Sequence, residues 1–229
     1  MMKTRLLTIG LAIGALMFSS CAKDTMTKSE KKHQVEITGT PYELVKAKNL
    51  VVGEQDWVYF SFEKATPVDP ADPAKSTDWD VAFFAYYMKT NGGISGPGKG
   101  GVLSPTTVTT SFDEVKKAPT EGYVNDVKVR MTYGMYSNFS YKDGSVSPIL
   151  SGAFADNKDV AKGIVWLNPG NMASGGGKWP SVYAPTYFVY IIRTAEGKYV
   201  KFQVTDFYND KAEAGAPSFQ YKLSDDGTF

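Results

Sequence analysis

The chain has 229 residues, 25 Lys and Arg against 24 Asp and Glu, and 14% aromatic residues. That near-neutral balance gives no electrostatic case for a nucleic-acid partner. One cysteine and one histidine leave disulfide frameworks, His/Cys zinc sites and Ser-His-Asp or Cys-His catalysis short of the residues they need.

The first twenty residues divide like a secretory signal. Lys3 and Arg5 make a basic start, Leu6 to Phe18 is a mainly apolar run, and Ser19 and Ser20 are small residues before a cleavage point. A helix of about 13 residues rises only about 20 Å, short of a membrane span. The sole cysteine, Cys21, stands where a diacylglyceryl group is attached in lipoproteins, although Phe18 occupies the position where Leu is commonest. The following Ala22-Lys23-Asp24 resembles a sorting signal that carries some lipoproteins of Gram-negative anaerobes to the outer face of the outer membrane. The expected layout is a signal peptide over residues 1–20, a lipidated tether over 21–34 and one domain over 35–229. Removing the signal takes two basic residues and no acidic ones, leaving 23 against 24, a net of −1.

Residues 22–34, ending near His33, are polar and Lys-rich, and cannot bury enough surface to order themselves. From Val35 onward the pattern is of strands. Asp56 to Glu63 and Asp78 to Thr90 are rich in β-formers. Ser111 with Glu114 fits a capping box opening a short helical turn before Pro119. Val127 to Tyr133 alternates, with Val127, Val129, Met131 and Tyr133 on one face and Lys128, Arg130 and Thr132 on the other. Pro185 to Arg193 and Lys198 to Tyr208 form a hairpin about Ala195-Glu196-Gly197, and Ser218 to Leu223 closes the domain after a turn at Ala214 to Pro217. Long loops are expected at Pro67 to Thr77, Asn91 to Gly101 and Asn168 to Lys178, the last two glycine-rich. The fold class is therefore mainly β: antiparallel sheets, long glycine-rich loops and one or two short helices.

Chemistry-bearing patterns are sparse. Gly92 to Gly101 lacks the Gly-Lys-Ser/Thr ending of a phosphate loop and opens no helix, so it is expected to be flexible or to edge a ligand. Asp78 and Asp80 could share a strand face, but Asp at a strand start is ordinarily a solvated or turn residue. Asp206, Asn209 and Asp210 offer oxygen ligands for calcium, yet a tight turn is the simpler account.

Thr77 to Gly93 with Gly98 to Gly101, then Gly197 to Asp210 and Phe219 to Leu223, resemble the HmuY-like haemophores, together with the lipoprotein start. The resemblance implies a non-enzymatic surface lipoprotein of mainly-β fold. It would bind haem b (iron protoporphyrin IX) and pass it to a TonB-dependent outer-membrane receptor, with host haemoproteins as a further candidate partner. In that family two histidines grip the iron in the founding member. Here the only histidine is His33, so the resemblance turns to the relatives thought to use methionine pairs.

Met88, on a strongly apolar strand, fits a core residue. Met172 lies in a glycine loop with little apolar surface to join, and Met135 follows Gly134 among Tyr133, Tyr136 and Phe139. Met135 and Met172 are the expected pair on the iron, with Met131 as runner-up to Met135. Tyr133, Tyr136, Trp179 and Tyr183 are candidate walls for the macrocycle, and Lys142 and Lys178 candidate partners for the propionates. Two alternatives stand beside this reading. One is a module on the same scaffold for another hydrophobic ligand or a host protein; the other is a surface hydrolase using carboxylates.

Overall fold

β-Branched and aromatic residues spaced two apart recur along the chain and set up short strands. A computed structural model describes residues 33–53, 56–103, 109–133, 140–152, 163–168 and 182–229. In chain order the strands are β1 (Glu36–Thr40), β2 (Leu44–Lys48), β3 (Val58–Ser61), β4 (Thr66–Val68), β5 (Val81–Phe84), β6 (Tyr87–Thr90), β7 (Gly101–Leu103), β8 (Tyr123–Val124), β9 (Val127–Tyr133), β10 (Ser140–Val146), β11 (Val165–Asn168), β12 (Val182–Pro185), β13 (Val189–Arg193), β14 (Tyr199–Tyr208) and β15 (Ala214–Ser224). Among the described residues the helical elements are a 3-10 turn, Phe112–Glu114, and a one-turn α-helix, α1, Pro148–Ser151. Every strand pairing is antiparallel.

A seven-stranded sheet, ordered β1-β2-β15-β14-β13-β7-β8, faces a four-stranded sheet, β4-β3-β5-β6. The layers meet through inward aromatic side chains. Phe60 of β3 and Phe83 of β5 pack on Phe219 of β15 with ring centroids 5.3 and 5.5 Å apart, and Phe62 meets Phe202 of β14 at 6.0 Å. Val200, Phe202 and Val204 alternate inward along β14. The opposite face of β14 is covered by the segment before β8, where Lys201 Nζ donates to the Val115 carbonyl at 3.0 Å and Gln203 Nε2 to that of Thr110 at 2.8 Å. Two further hairpins, β9–β10 and β11–β12, stand outside both sheets.

The expected class is found, and the hairpin about residues 195–197 is β13–β14. Three local expectations are corrected. Asp78 to Thr90 is not one strand: it folds back at Ala85-Tyr86, so Phe84 pairs with Tyr87. The 3-10 turn forms after Ser111, but Ser111 makes no side-chain cap; Thr109 Oγ1 takes the Ser111 N–H at 3.1 Å and donates to Glu114 Oε2 at 2.8 Å instead. The segment Ala214 to Pro217 belongs to β15, and the chain turns earlier, where Ala212 N donates to the Asn209 carbonyl at 2.9 Å. His33 lies against the domain: its carbonyl accepts from Val51 N at 3.0 Å and its ring nitrogen Nε2 is 3.6 Å from Asp69.

Candidate functional site

The reversal in Phe84-Ala85-Tyr86-Tyr87 organises the region between the two outer hairpins. Ala85 is held at φ 48°, the left-handed region where an L-residue is uncommon. This two-residue turn sets consecutive tyrosines beside β9. The Tyr86 hydroxyl donates to the Thr132 carbonyl; the Tyr87 hydroxyl donates to the same carbonyl at 3.2 Å and accepts from Thr132 N at 2.9 Å. The Tyr86 ring also stacks on Tyr183 of β12, with centroids 5.8 Å apart and planes 21° from parallel. Tyr183 is fixed in turn, its N–H donating to the Tyr208 hydroxyl at 2.9 Å. One turn of the smaller sheet therefore meets both outer hairpins.

Under β9–β10 lies a second small core of Phe84, Ala85, Tyr87, Met131 and Val146, with Trp57, Val129 and Tyr133 packed around it. Phe84 meets Tyr133 edge-on at 5.1 Å and Trp57 at 5.4 Å, and Lys142 Nζ sits 5.3 Å from the Phe84 ring. The alternation read along β9 accounts for this, with Met131, Val129 and Tyr133 turned to the core.

Beside it, Lys89 is enclosed by aromatic rings. Its Nζ lies 4.4 Å from the Trp57 centroid, 5.0 Å from Tyr59 and 5.3 Å from Trp79, and it donates to the Tyr59 hydroxyl at 3.3 Å. Burial pulls its pKa down to about 8, against the opposing pull of Asp126. Burial likewise raises Asp126 to about 6, although its carboxylate accepts from Thr90 N at 2.9 Å, Thr90 Oγ1 at 3.0 Å and Ser95 Oγ at 2.6 Å. Ser95 Oγ in turn lies 2.6 Å from Ser145 Oγ of β10. Asn91 binds the rest of the glycine-rich segment: its Nδ2 donates to the carbonyls of Ser76 and Trp79, both at 2.8 Å, while its Oδ1 accepts from Gly98 N at 3.1 Å. The segment expected to be flexible or to edge a ligand is tied down by these bonds, and its glycines let the backbone close on Asn91.

The sequence-derived candidates fall in different places. Met131, 1% exposed, is packed in the second core opposite Lys142. Met88 is fully buried in the main core. Tyr133, Lys142 and Tyr183 lie on the two outer hairpins. Met135 and Tyr136 belong to the 134–139 connection of β9–β10, and Met172, Lys178 and Trp179 to the 169–181 connection of β11–β12; both lie outside the described residues, as does Cys21. The acidic candidates serve the scaffold. Asp78 is exposed and 3.4 Å from Lys64 Nζ, Asp80 is buried and accepts from Phe62 N and Ala195 N, and Asp210 meets Lys48 at 2.8 Å. Among the described residues no group of three His, Cys, Asp or Glu could hold a metal ion, and no helix is long and apolar enough to cross a membrane.

Sequence reasoning missed Tyr86, Tyr87, Lys89 and Asp126. The Tyr-Tyr pair carried no signal for this arrangement, because Tyr86 lies in the reversal and not on a strand, and both hydroxyls reach the same Thr132 carbonyl. The Lys89 cage carried none, since Trp57, Tyr59 and Trp79 come from two separate segments.

The model of the HmuY protein family matches residues 53–221. A search of curated proteins finds no match. Among solved structures, a Bacteroides vulgatus protein assigned as HmuY-like and haem-binding is 19% identical, with TM-score 0.54, over 82% of this chain and 95% of the other. A Bacteroides fragilis protein assigned as a lipoprotein is 17% identical, with TM-score 0.55, over 81% and 91%. The apo HmuY analog of Tannerella forsythia is 16% identical, with TM-score 0.53, over 82% and 98%. At these identities the structural likeness speaks for the fold.

Proposed function

Given that the chain belongs to the HmuY family, we propose that it is a haem-binding carrier without turnover, tethered to the outer membrane by a lipid on Cys21. The observation that carries this reading is the shared footing of the two outer hairpins on Tyr86. Their connections hold Met135 and Met172, the pair assigned here to the haem iron. Met131 ranks behind Met135 because its thioether is packed in the core. The residues present suit a flat, apolar, dianionic ligand. Tyr133, Tyr136 and Trp179 supply rings, Lys142 and Lys178 supply cations for the propionates, and two neutral thioethers suit iron. Haem, when bound, contributes the iron; the chain supplies binding, orientation and delivery to a TonB-dependent receptor. The lipoprotein assignment of the B. fragilis neighbour is in keeping with the anchor.

An absorbance titration of the chain from residue 21 with haem tests the reading under reducing and oxidising conditions. A Soret band that appears with the parent, persists in Met88→Ala and is lost in Met135→Ala and Met172→Ala is expected. No spectral change in either redox state refutes it. One observation favours a protein-binding module instead: Tyr141 and Ile94 are 57% and 53% exposed, and Arg130 lies 4.9 Å over the Tyr141 ring, an aromatic–Arg pairing common at interfaces.

A further inference from the structure

In an antiparallel pair, alternate residues turn their N–H and C=O away from the partner strand. Thr132 fixes which residues of β9 do so. Its N–H donates to the Tyr87 hydroxyl at 2.9 Å and its carbonyl accepts from Tyr86 and Tyr87, so both groups point away from Tyr141, its neighbour on β10. Arg130 and Lys128, two and four residues earlier, turn their main-chain groups the same way. The scaffold supplies partners at Thr132 but not to them: those N–H and C=O groups have no hydrogen-bond partner among the described residues. Among the described strands β9 pairs with β10 alone. The far edge of β10 differs, because it runs back to the smaller sheet, where Ser147 N donates to the Met88 carbonyl at 2.8 Å.

Two cations flank this open stretch. The Lys128 and Arg130 side chains are exposed, and neither forms an ion pair with a described residue. Arg130 lies 4.9 Å over the Tyr141 ring, a stacking that leaves the in-plane donors of its guanidinium free. With Ile94, Asp143, Gly144 and Ser145 the two residues line an open groove of about 570 Å³, so side chains laid beside β9 have room to reach them. A second copy suits the edge poorly. An antiparallel β9 centred on Val129 sets Lys128 opposite Arg130, and one centred on either cation sets it opposite itself, so like charges meet in every such register.

We propose that the β9 edge at Lys128–Arg130 is a docking surface for an extended acidic segment of another protein, added as a strand beside β9. Its backbone takes the open N–H and C=O groups, and carboxylates on its alternate residues meet the two cations. This goes beyond the haem reading and does not depend on it.

The test uses the chain from residue 21 without haem. The probes are peptides of about nine residues, enough to span the strand, in which Glu alternates with Thr and Val. A second version is N-methylated at every peptide bond, which keeps the charge and removes the donors, and a third has Lys in place of Glu. Binding is read by fluorescence anisotropy, and amide hydrogen exchange is read at Lys128 and Arg130. The Glu peptide is expected to bind and to slow exchange at both amides, while the other two versions do neither. Lys128→Ala with Arg130→Ala should weaken the Glu peptide roughly tenfold and leave thermal unfolding unchanged, both side chains being exposed. If that double variant fails to fold, Lys128→Gln with Arg130→Gln takes its place with the same expectation. Absence of binding overturns the proposal, as does equal binding of the N-methylated peptide, which would reduce the attraction to charge alone. Protection of the two amides that rises with protein concentration and without peptide gives the edge to a second copy and overturns it as well.

Discussion

Two neighbouring acids show how burial separates residues that look equivalent in sequence. Asp78 is exposed beside Lys64, whereas Asp80, two residues on, ties the sheets together by accepting from Phe62 N at 2.8 Å and Ala195 N at 2.9 Å. Asp80→Ala leaves two buried N–H groups without an acceptor and should cost about 2–5 kcal/mol in urea unfolding, while Asp78→Ala stays within about 0.5 kcal/mol. Equal losses would contradict the assignment. Asp126 and Lys89 add a pH dependence of definite sign. The folded state holds the Asp126 proton up to about pH 6, above the ordinary 3.8, so this group adds stability as pH falls through that window. Lys89 loses its proton near 8 instead of 10.5, so it adds stability as pH rises between those values. Unfolding midpoints should therefore move in the parent's favour against Asp126→Asn from pH 7.5 to 5, and against Lys89→Met from pH 8 to 10. Each change is on the order of 1–3 kcal/mol; a pH-independent difference between parent and variant would show that the group does not titrate in this window.

At the level of elements, the glycine-rich stretch after β6 was the least legible. Composition marks it as loose, but the spacing of its glycines reflects close backbone approach. A Cβ on Gly100 would stand 2.5 Å from the Asn91 carbonyl oxygen, and one on Gly92 only 2.1 Å from that of Gly100. Gly100→Ala should thus lower stability by about 1–3 kcal/mol. Gly144→Ala makes a useful contrast, because its Cβ would meet only the Met131 methyl, the end of a flexible side chain, at 2.8 Å. Thermal unfolding of both variants checks the difference; a Gly100→Ala protein as stable as Gly144→Ala would mean the segment yields after all. The β13–β14 hairpin was legible because its turn and its alternation agree, whereas Asp78 to Thr90 was not, because an apolar run hides a fold-back at Ala85.

For the whole molecule, the proposed function predicts a redox preference. Neutral thioethers do not compensate the extra positive charge of ferric iron and suit the softer ferrous ion. Ferrous haem should bind at least roughly tenfold tighter than ferric haem, one such step being about 1.4 kcal/mol, in parallel titrations with and without dithionite. Equal affinities would exclude a methionine pair as the iron's ligands and return attention to oxygen donors such as Tyr133 and Tyr136.

By itself the sequence was enough for the mainly-β class and for the core-facing alternation of Val129, Met131 and Tyr133 along β9. These follow from composition and from the period-two pattern, which survive without knowledge of distant contacts; the expectation of a HmuY-like haem carrier rests instead on the resemblance carried by residues 77–101 and 197–223. Tertiary structure alone decided that Asp80 is a buried link between sheets, that Lys89 sits among rings from separate strands, that the glycine-rich segment is tied down, and that Tyr86 stands between the two hairpins. Each depends on residues far apart in the chain meeting at a few ångströms, and period-two spacing carries no record of which strands will become neighbours.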